Sequence, residues 1–448
     1  MAEPELVACM TSMVSWPIEV SPDSPFPLNN IPFGIFTTIQ KIERRAGVAI
    51  GDFILDLSSL ERTLLHDGCF NRLKRVSEAP VFQDGDLSKF ASLPVASRKA
   101  FRNTLIDWLS DKMSPLFDNA ARTASIFIPM ADATMHLPFK IPAFTDFMCS
   151  DVHIENCSRL AGASTPPSHY AMPLGYNGRA SSVVTDGEPI YRPQGIIRNP
   201  QDSSTSFQPS KRMDYEAELG VFVSRPLPRN AHINADEADD YIFGFVVLND
   251  WSARDIQFTE MNPLGPINGK SFATSISPWV VTLDALEGAR CVSSVTDLRD
   301  GGLTGARHLR HKDERSTWDL ELEVSVFRPK SNSSAPMMTS RSNLRHLRWS
   351  PGQMLAHLAS SGCGLRTGEL FGTGTISSPN DKPSSRTLGC LLELTEGGKK
   401  PANQGAEDAD ALVFLEDGDE VVISAWAKGC SFGLGSLSGQ LLAPREDR

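Results

Sequence analysis

The sequence predicts a strand-rich α+β protein, on three observations. Tyr241 to Leu248 is an unbroken apolar run of strand length, which reads as a buried strand. Met213 to Val223, MDYEAELGVFV, alternates with the two-residue period of a strand. Before residue 140, short strand-like runs interleave with apolar residues at helical spacing.

Taken in order, PFGIFTT and VAIGDFILDLSSL read as short strands. A helical stretch follows, then LSKFASL and SRKAFRNTLIDWLSDKM, also helical. No reactive grouping occurs here, so residues 1–140 read as a small structural domain and residues 141–448 as the catalytic one. From Ile141 the texture changes. IPAFTDFMCSDVH places Asp146 and His153 seven residues apart, and the polar stretch ENCSRLAGASTPPSHY follows. In MPLGYNGRASSVV the Gly-Tyr-Asn-Gly reads as a turn, and residues 195–212, rich in Ser, Pro and Gln, as a loop.

In MDYEAELGVFV, strand periodicity puts Met213, Tyr215, Ala217 and Leu219 on one face and Asp214, Glu216 and Glu218 on the other. The apolar run after Tyr241 ends in Asn249, Asp250 and Trp251, with Arg254, Asp255, Gln257, Lys270 and Thr274 close behind. Such charges at the mouth of a buried strand are costly unless something there uses them. Residues 284–316 read as a solvated basic loop and 329–343 as a loop insertion. Ser350 and Pro351 open a helix. In LRTGELFGTGTIS, glycines let the backbone approach a neighbour closely, and GCLLELTEGG, LVFLEDGDEVVISAWAKG and the C-terminal end read as strands, with a tight turn at Asp417-Gly418.

Composition is that of an ordinary globular chain, 40% hydrophobic and 22% charged. A net charge of -11 argues against nucleic acid or an anionic membrane as partner, because both attract a positive protein surface. The start, MAEPELVACMTSM, carries acids where a signal peptide needs basic residues, and no apolar run reaches the roughly 20 residues of a membrane span. Eight scattered cysteines without a CxxC pair suit free thiols in a reducing cytoplasm.

Glu216 and Glu218, neighbours on one strand face, repel each other unless they share a cation; the alternative is a solvent-facing edge strand. Together with Asp146 and Asp250 they would make an all-oxygen site for a hard metal. Lys270 suits an ion pair with such a cluster, and His153 is either a structural histidine or a base. Arg254 and Gln257, three apart, face the same way in a helical turn. They could hold a substrate carboxylate, Arg supplying a planar fork, or lie in a surface turn.

The ordered strings FTDF with a following His, LGYNGRASSVV, MDYEAELGVFV, LNDWSARDIQ, PLGP, GKSFATSISPWV and GTGTISSP with a later LLEL resemble the fumarylacetoacetate hydrolase family. PFGIFTT and IGDFILDL resemble its N-terminal domain, so the likeness spans nearly the whole chain. It implies a small Src-homology-3-like barrel domain, a mixed β-roll catalytic domain and a homodimer. The implied reaction is hydrolysis of a carbon–carbon bond in a 1,3-diketo acid, with 4-fumarylacetoacetate giving fumarate and acetoacetate in tyrosine breakdown. Matched by motif, Asp146, Glu216, Glu218 and Asp250 correspond to ligands of Mg2+ or Ca2+, with Lys270 and Thr274 near the ions. His153 corresponds to the water-activating base and Glu393 to the acid that orients it; Arg254 and Lys270 would stabilise developing charge. Tyr176, Arg254, Gln257 and Thr375 match substrate contacts. Two positions depart from the pattern: Met148 stands where the family has an aromatic, and Arg159, in a shortened string, is a candidate stand-in for a substrate-binding arginine. The alternatives are a paralogue that cleaves, decarboxylates or tautomerises another keto acid, and a silent binding subunit.

Overall fold

Two β-sheets share one apolar core, and this arrangement places the reactive side chains. The computed structural model describes residues 18–64, 79–199, 201–295, 306–329, 335–380, 386–403 and 411–445. The N-terminal stretch read for a targeting signal, Cys9, Cys69, the glycine-rich part of the basic loop and residues 330–334 lie outside them.

The larger sheet runs in the order Leu174–Asn177, Phe144–Met148, Leu370–Gly372, Ala217–Val223, Ile242–Asp250, Thr274–Ile276 and Val183–Thr185, with Val281–Thr282 also pairing with Ile242–Asp250. Ile242–Asp250 is buried along its whole length, as its unbroken apolar run requires. The second sheet runs Met338–Asn343, Leu320–Phe327, Glu420–Ala427, Phe432–Leu442 and Ile190–Tyr191. Leu219, Val221, Phe245 and Val247 pack in one cluster with Leu322, Val324, Ile423 and Leu437 of this second sheet. The opposite side of the larger sheet, Phe222, Val246, Leu248 and Phe144, packs instead on the N-terminal part.

That N-terminal part is a five-stranded antiparallel sheet, ordered Phe127–Pro129, Phe53–Asp56, Lys41–Ile50, Phe33–Thr38 and Ala133–His136. Helix Val95–Ser110 lays Phe101, Leu105 and Leu109, at four-residue spacing, into its core. Phe90 links the two parts, its ring centroid 4.9 Å from Phe33 and 6.1 Å from Phe243. Among the described residues no helix is long and apolar enough to cross a membrane.

Several stretches differ from expectation, each for a local reason. LSSL belongs to helix Leu57–Thr63, because Asp56 caps it by accepting from the Ser59 N–H at 2.9 Å. Leu174–Asn177 is a strand rather than a turn, since it gains a ladder with Phe144–Met148. Residues 195–212 are not one loop: Gln194–Arg198 and Thr205–Pro209 form an antiparallel hairpin. Met338–Asn343, expected in a loop, is a strand with Met338, Ser340 and Ser342 turned inward. The polar stretch after His153 begins as the end of helix Asp151–Leu160, capped by Ser150, and closes in helix Pro167–Ala171. MDYEAELGVFV breaks into Met213–Asp214 and Ala217–Val223. LLEL is a helical turn, Leu391–Leu394, because the buried Asp214 accepts from the Leu391 and Leu392 N–H groups. The basic loop is only partly solvated: Leu309 is buried and the His311 ring meets the Ser350 hydroxyl at 2.8 Å.

Because Phe90 joins the two parts through one apolar cluster, Phe90→Ala should cost about 3–5 kcal/mol. A urea melt followed by far-ultraviolet circular dichroism reads this directly. A midpoint unchanged from wild type would show that the N-terminal core contributes nothing to the whole.

Candidate active site

Strand parity carries three carboxylates to one place. Glu218, Asp250 and Asp146 share the parity of Phe222, Leu248 and Phe144 on their strands, so they continue the same sheet face where its apolar side chains stop. Glu216, just before Ala217–Val223, joins them. One oxygen from each of Asp146, Glu216, Glu218 and Asp250 lies within 4.8 Å of the others, and all four residues are buried. Gly372 makes the approach possible. It pairs with Gly220 on one side and Asp146 on the other. A Cβ there would lie 2.6 Å from Glu218 Oε2 and closer still to Asp146 Oδ1.

The carboxylates are unequally compensated. Lys270 Nζ donates to Glu216 Oε2 at 2.5 Å and to Asp250 Oδ2 at 2.9 Å. Asp250 also accepts from Thr274 at 3.0 Å and Tyr176 at 2.8 Å. Arg254 NH1 reaches Glu216 Oε1 at 2.8 Å. Burial raises the Glu216 carboxyl, but the charges of Lys270 and Arg254 outweigh it and hold its pKa far below the usual range. Burial likewise disfavours the Lys270 ammonium, yet Asp250 and Glu216 keep it protonated. Among the described residues no cation forms an ion pair with Asp146 or Glu218, and the charge of Lys270 lowers Asp146 only in part. Burial first, then the neighbouring carboxylates, push both well above their ordinary values. Asp146 Oδ1 and Glu218 Oε1 are buried with no hydrogen-bond partner among the described residues. Orphaned oxygens on an all-oxygen donor set fit a hard divalent cation, which would be held by these four carboxylates.

The histidine sits beside this cluster. Ser150 caps the helix that carries it, accepting from the His153 N–H at 3.2 Å. His153 Nδ1 lies 2.7 Å from Glu393 Oε2, and Nε2 lies 3.9 Å from Glu216 Oε1. Glu393 also accepts from Asn156 at 2.9 Å, Ser377 at 2.7 Å and the Cys390 thiol at 3.2 Å. Burial disfavours a charged ring, but the Cys157 sulfur and the Glu393 carboxylate overcome it and hold the imidazole pKa well above its usual value. For Glu393, burial is outweighed by His153, and its pKa is lowered. The Glu393 contact thus fixes Nδ1 and leaves Nε2 as the ring nitrogen turned toward the carboxylate cluster.

Of the other expected site residues, Arg254 does not project into open space. It donates to Asp214 at 2.9 Å and to Gln257 at 3.1 Å besides its Glu216 contact. Thr375 is buried with an unpartnered hydroxyl, and Met148 is half-buried on its strand, beside Gly374. Arg159 is not brought to the cluster. Six residues beyond His153, it is turned about 240° around the helix. It is exposed and lies 3.5 Å from Asn156, which in turn donates to Glu393.

Sequence reasoning missed Asp214, Asn156 and Ser377. Asp214 ties Arg254 to the turn bearing Glu393, a link across 177 positions that no local pattern reveals. It also missed the clamp on the His153 helix, where Asp151 accepts two bonds from Arg348, at 2.6 and 2.8 Å, and meets His169 at 2.7 Å. Burial raises the Asp151 carboxyl, but His169 and Arg348 pull it lower overall. A lowered folded pKa stabilises above the ordinary aspartate value of about 3.9 and is lost as pH falls through the folded value. Asp151→Asn should therefore melt below wild type at about pH 7, with the gap closing on acidification below about pH 3.9. Melting midpoints across pH test this, and a pH-independent gap would contradict it.

Comparison with known proteins finds two family matches. Residues 29–138 match the description Fumarylacetoacetase N-terminal, and residues 143–441 match Fumarylacetoacetate (FAA) hydrolase C-terminal. Fumarylacetoacetase of Oryza sativa subsp. japonica is 40% identical, the alignment covering 95% of this chain and 96% of that one. Fumarylacetoacetase of Dictyostelium discoideum is 37% identical over 95% and 97% of the two chains, and that of Emericella nidulans 39% over 96% and 99%. The chain belongs to the fumarylacetoacetate hydrolase family.

Proposed function

We propose that this protein hydrolyses 4-fumarylacetoacetate to fumarate and acetoacetate, the last cleavage of tyrosine and phenylalanine breakdown. The observation that carries this reading is a buried four-carboxylate cluster, one oxygen of which lies 3.9 Å from Nε2 of a His153–Glu393 pair. Near-full-length identity to proteins named fumarylacetoacetase favours hydrolysis over decarboxylation or tautomerisation of another keto acid.

Asp146, Glu216, Glu218 and Asp250 hold the cation, magnesium or calcium, with Lys270 and Thr274 orienting Asp250. When bound, the ion would supply Lewis-acid polarisation of the diketone oxygens. His153 takes a proton from water through Nε2, and Glu393 keeps Nδ1 protonated. The hydroxide adds to one ketone, the adjacent carbon–carbon bond breaks, and its electron pair leaves with the acetoacetate carbon as an enolate. The same imidazolium then returns the proton to that carbon. Lys270 and Arg254 balance the developing charge, while Tyr176, Gln257, Thr375 and Met148 border the substrate. Arg254 is already shared with Asp214 and Glu216, so its part in binding is to hold Gln257 and Glu216 in place.

The assignment extends to the setting. The two domains meet near residue 140, the protein is cytoplasmic, and it works as a homodimer. Exposed Ile196, Phe207, Phe258 and Leu264, from the 194–209 hairpin and the segment after Arg254, support a self-association surface. Neither nucleic acid nor membrane is a partner, in line with the net charge of -11.

His153→Ala should lower kcat on 4-fumarylacetoacetate about 100- to 10,000-fold. Removing divalent ions with EDTA should abolish turnover, and adding back magnesium or calcium should restore it. Loss of diketone absorbance follows the rate, and mass spectrometry identifies the two acids. Full activity of the variant, or carbon dioxide or an isomer as product, would overturn the assignment.

A further inference from the structure

We infer that His153, Glu393, Cys390 and Cys157 form a second, soft metal site, at which a thiophilic divalent cation such as Zn2+ or Cd2+ captures the base and inhibits the enzyme. Donor atoms of His153, Cys390 and Glu393 lie within 4.8 Å of one another, and all three residues are buried. Cys390 Sγ is 3.2 Å from Glu393 Oε2, and His153 Nδ1 is 2.7 Å from the same oxygen. Cys157, one helical turn after His153, adds a second sulfur, 3.9 Å from Nδ1 and 3.6 Å from Nε2. Tetrahedral zinc with sulfur, nitrogen and oxygen ligands sets donors roughly 3.3–3.8 Å apart. The Cys390–Glu393 and Cys157–Nδ1 separations, 3.2 and 3.9 Å, lie near that spacing, and the histidine–carboxylate pair must open by about 0.6 Å.

The chemistry separates this site from the carboxylate cluster next to it. That cluster offers oxygen alone and suits magnesium or calcium, whereas two sulfurs and an imidazole prefer a softer ion. Burial disfavours a bare Cys390 thiolate, and a divalent cation supplies the missing countercharge. On binding, both thiols release their protons to solvent, and the single ring proton moves from Nδ1 to Nε2 as the metal takes its place. The ring then carries that hydrogen on Nε2 and has no lone pair for a water proton. Inhibition thus rests on the proposed role of His153, but metal binding does not.

The test uses the reduced full-length protein with magnesium in excess. Cadmium is added while the ultraviolet charge-transfer absorption of thiolate–cadmium bonds is recorded, and zinc inhibition of 4-fumarylacetoacetate hydrolysis is measured in parallel. Wild type should take up one equivalent with thiolate absorption, and excess magnesium should not relieve zinc inhibition. The Cys157→Ser, Cys390→Ser double variant should bind about 100-fold more weakly, since losing even an outer-layer partner costs 10- to 100-fold. If that variant does not fold, zinc protection of the two wild-type thiols from alkylation, read by peptide mass spectrometry, decides instead. Retained cadmium absorption in the variant, unprotected thiols, or relief of inhibition by magnesium would overturn the proposal. Absorption without any hydrolase activity would support the metal site and count against the proposed function.

Discussion

Four carboxylates converge in a buried pocket where the protein's own cations neutralise only part of their charge. Isolated charges out of water are too costly to leave uncompensated. Lys270 and Arg254 answer Glu216 and Asp250, whereas Asp146 and Glu218 meet each other across a glycine. Gly372 is where this constraint enters the backbone, since any side chain there would occupy the space of the carboxylate oxygens. The central sheet supplies the rest, setting three strands in a register that brings acids from positions 146, 218 and 250 to one face.

Around that charge the polypeptide builds a rigid mount for one imidazole. The His153 helix is held at its start by Ser150 and by the Asp151–Arg348–His169 clamp. The turn bearing Glu393 is held by Asp214, whose other partner is Arg254 on the carboxylate side. A single buried aspartate therefore links the turn bearing Glu393 to the cation that steadies Glu216. Burial makes such links effective, because a satisfied polar network in a low-dielectric interior resists rearrangement.

Much of this was legible in the sequence, and the reasons are physical. Tyr241–Leu248 had to be buried because its apolar run leaves no solvent face, and strand periodicity set Glu216 and Glu218 beside each other. The longer match of ordered strings brought in Asp146, His153 and Glu393, which spacing alone could not join. What stayed hidden depended on distant partners. Leu391–Leu394 looks like a strand until Asp214 caps it, and Leu174–Asn177 looks like a turn until Phe144–Met148 pairs with it. Arg159 lies on a different face of its helix from His153, because six residues turn the chain through about 240°.

The central claim is that the four acids share one hard cation beside the imidazole. Crystals grown or soaked with Mn2+, examined by anomalous diffraction at the manganese edge, test it most directly. The account predicts a single strong peak within about 2.0–2.3 Å of oxygens from Asp146, Glu216, Glu218 and Asp250. A cluster without a peak in crystals that hold manganese elsewhere, with Asp146 and Glu218 sharing a proton instead, would contradict it.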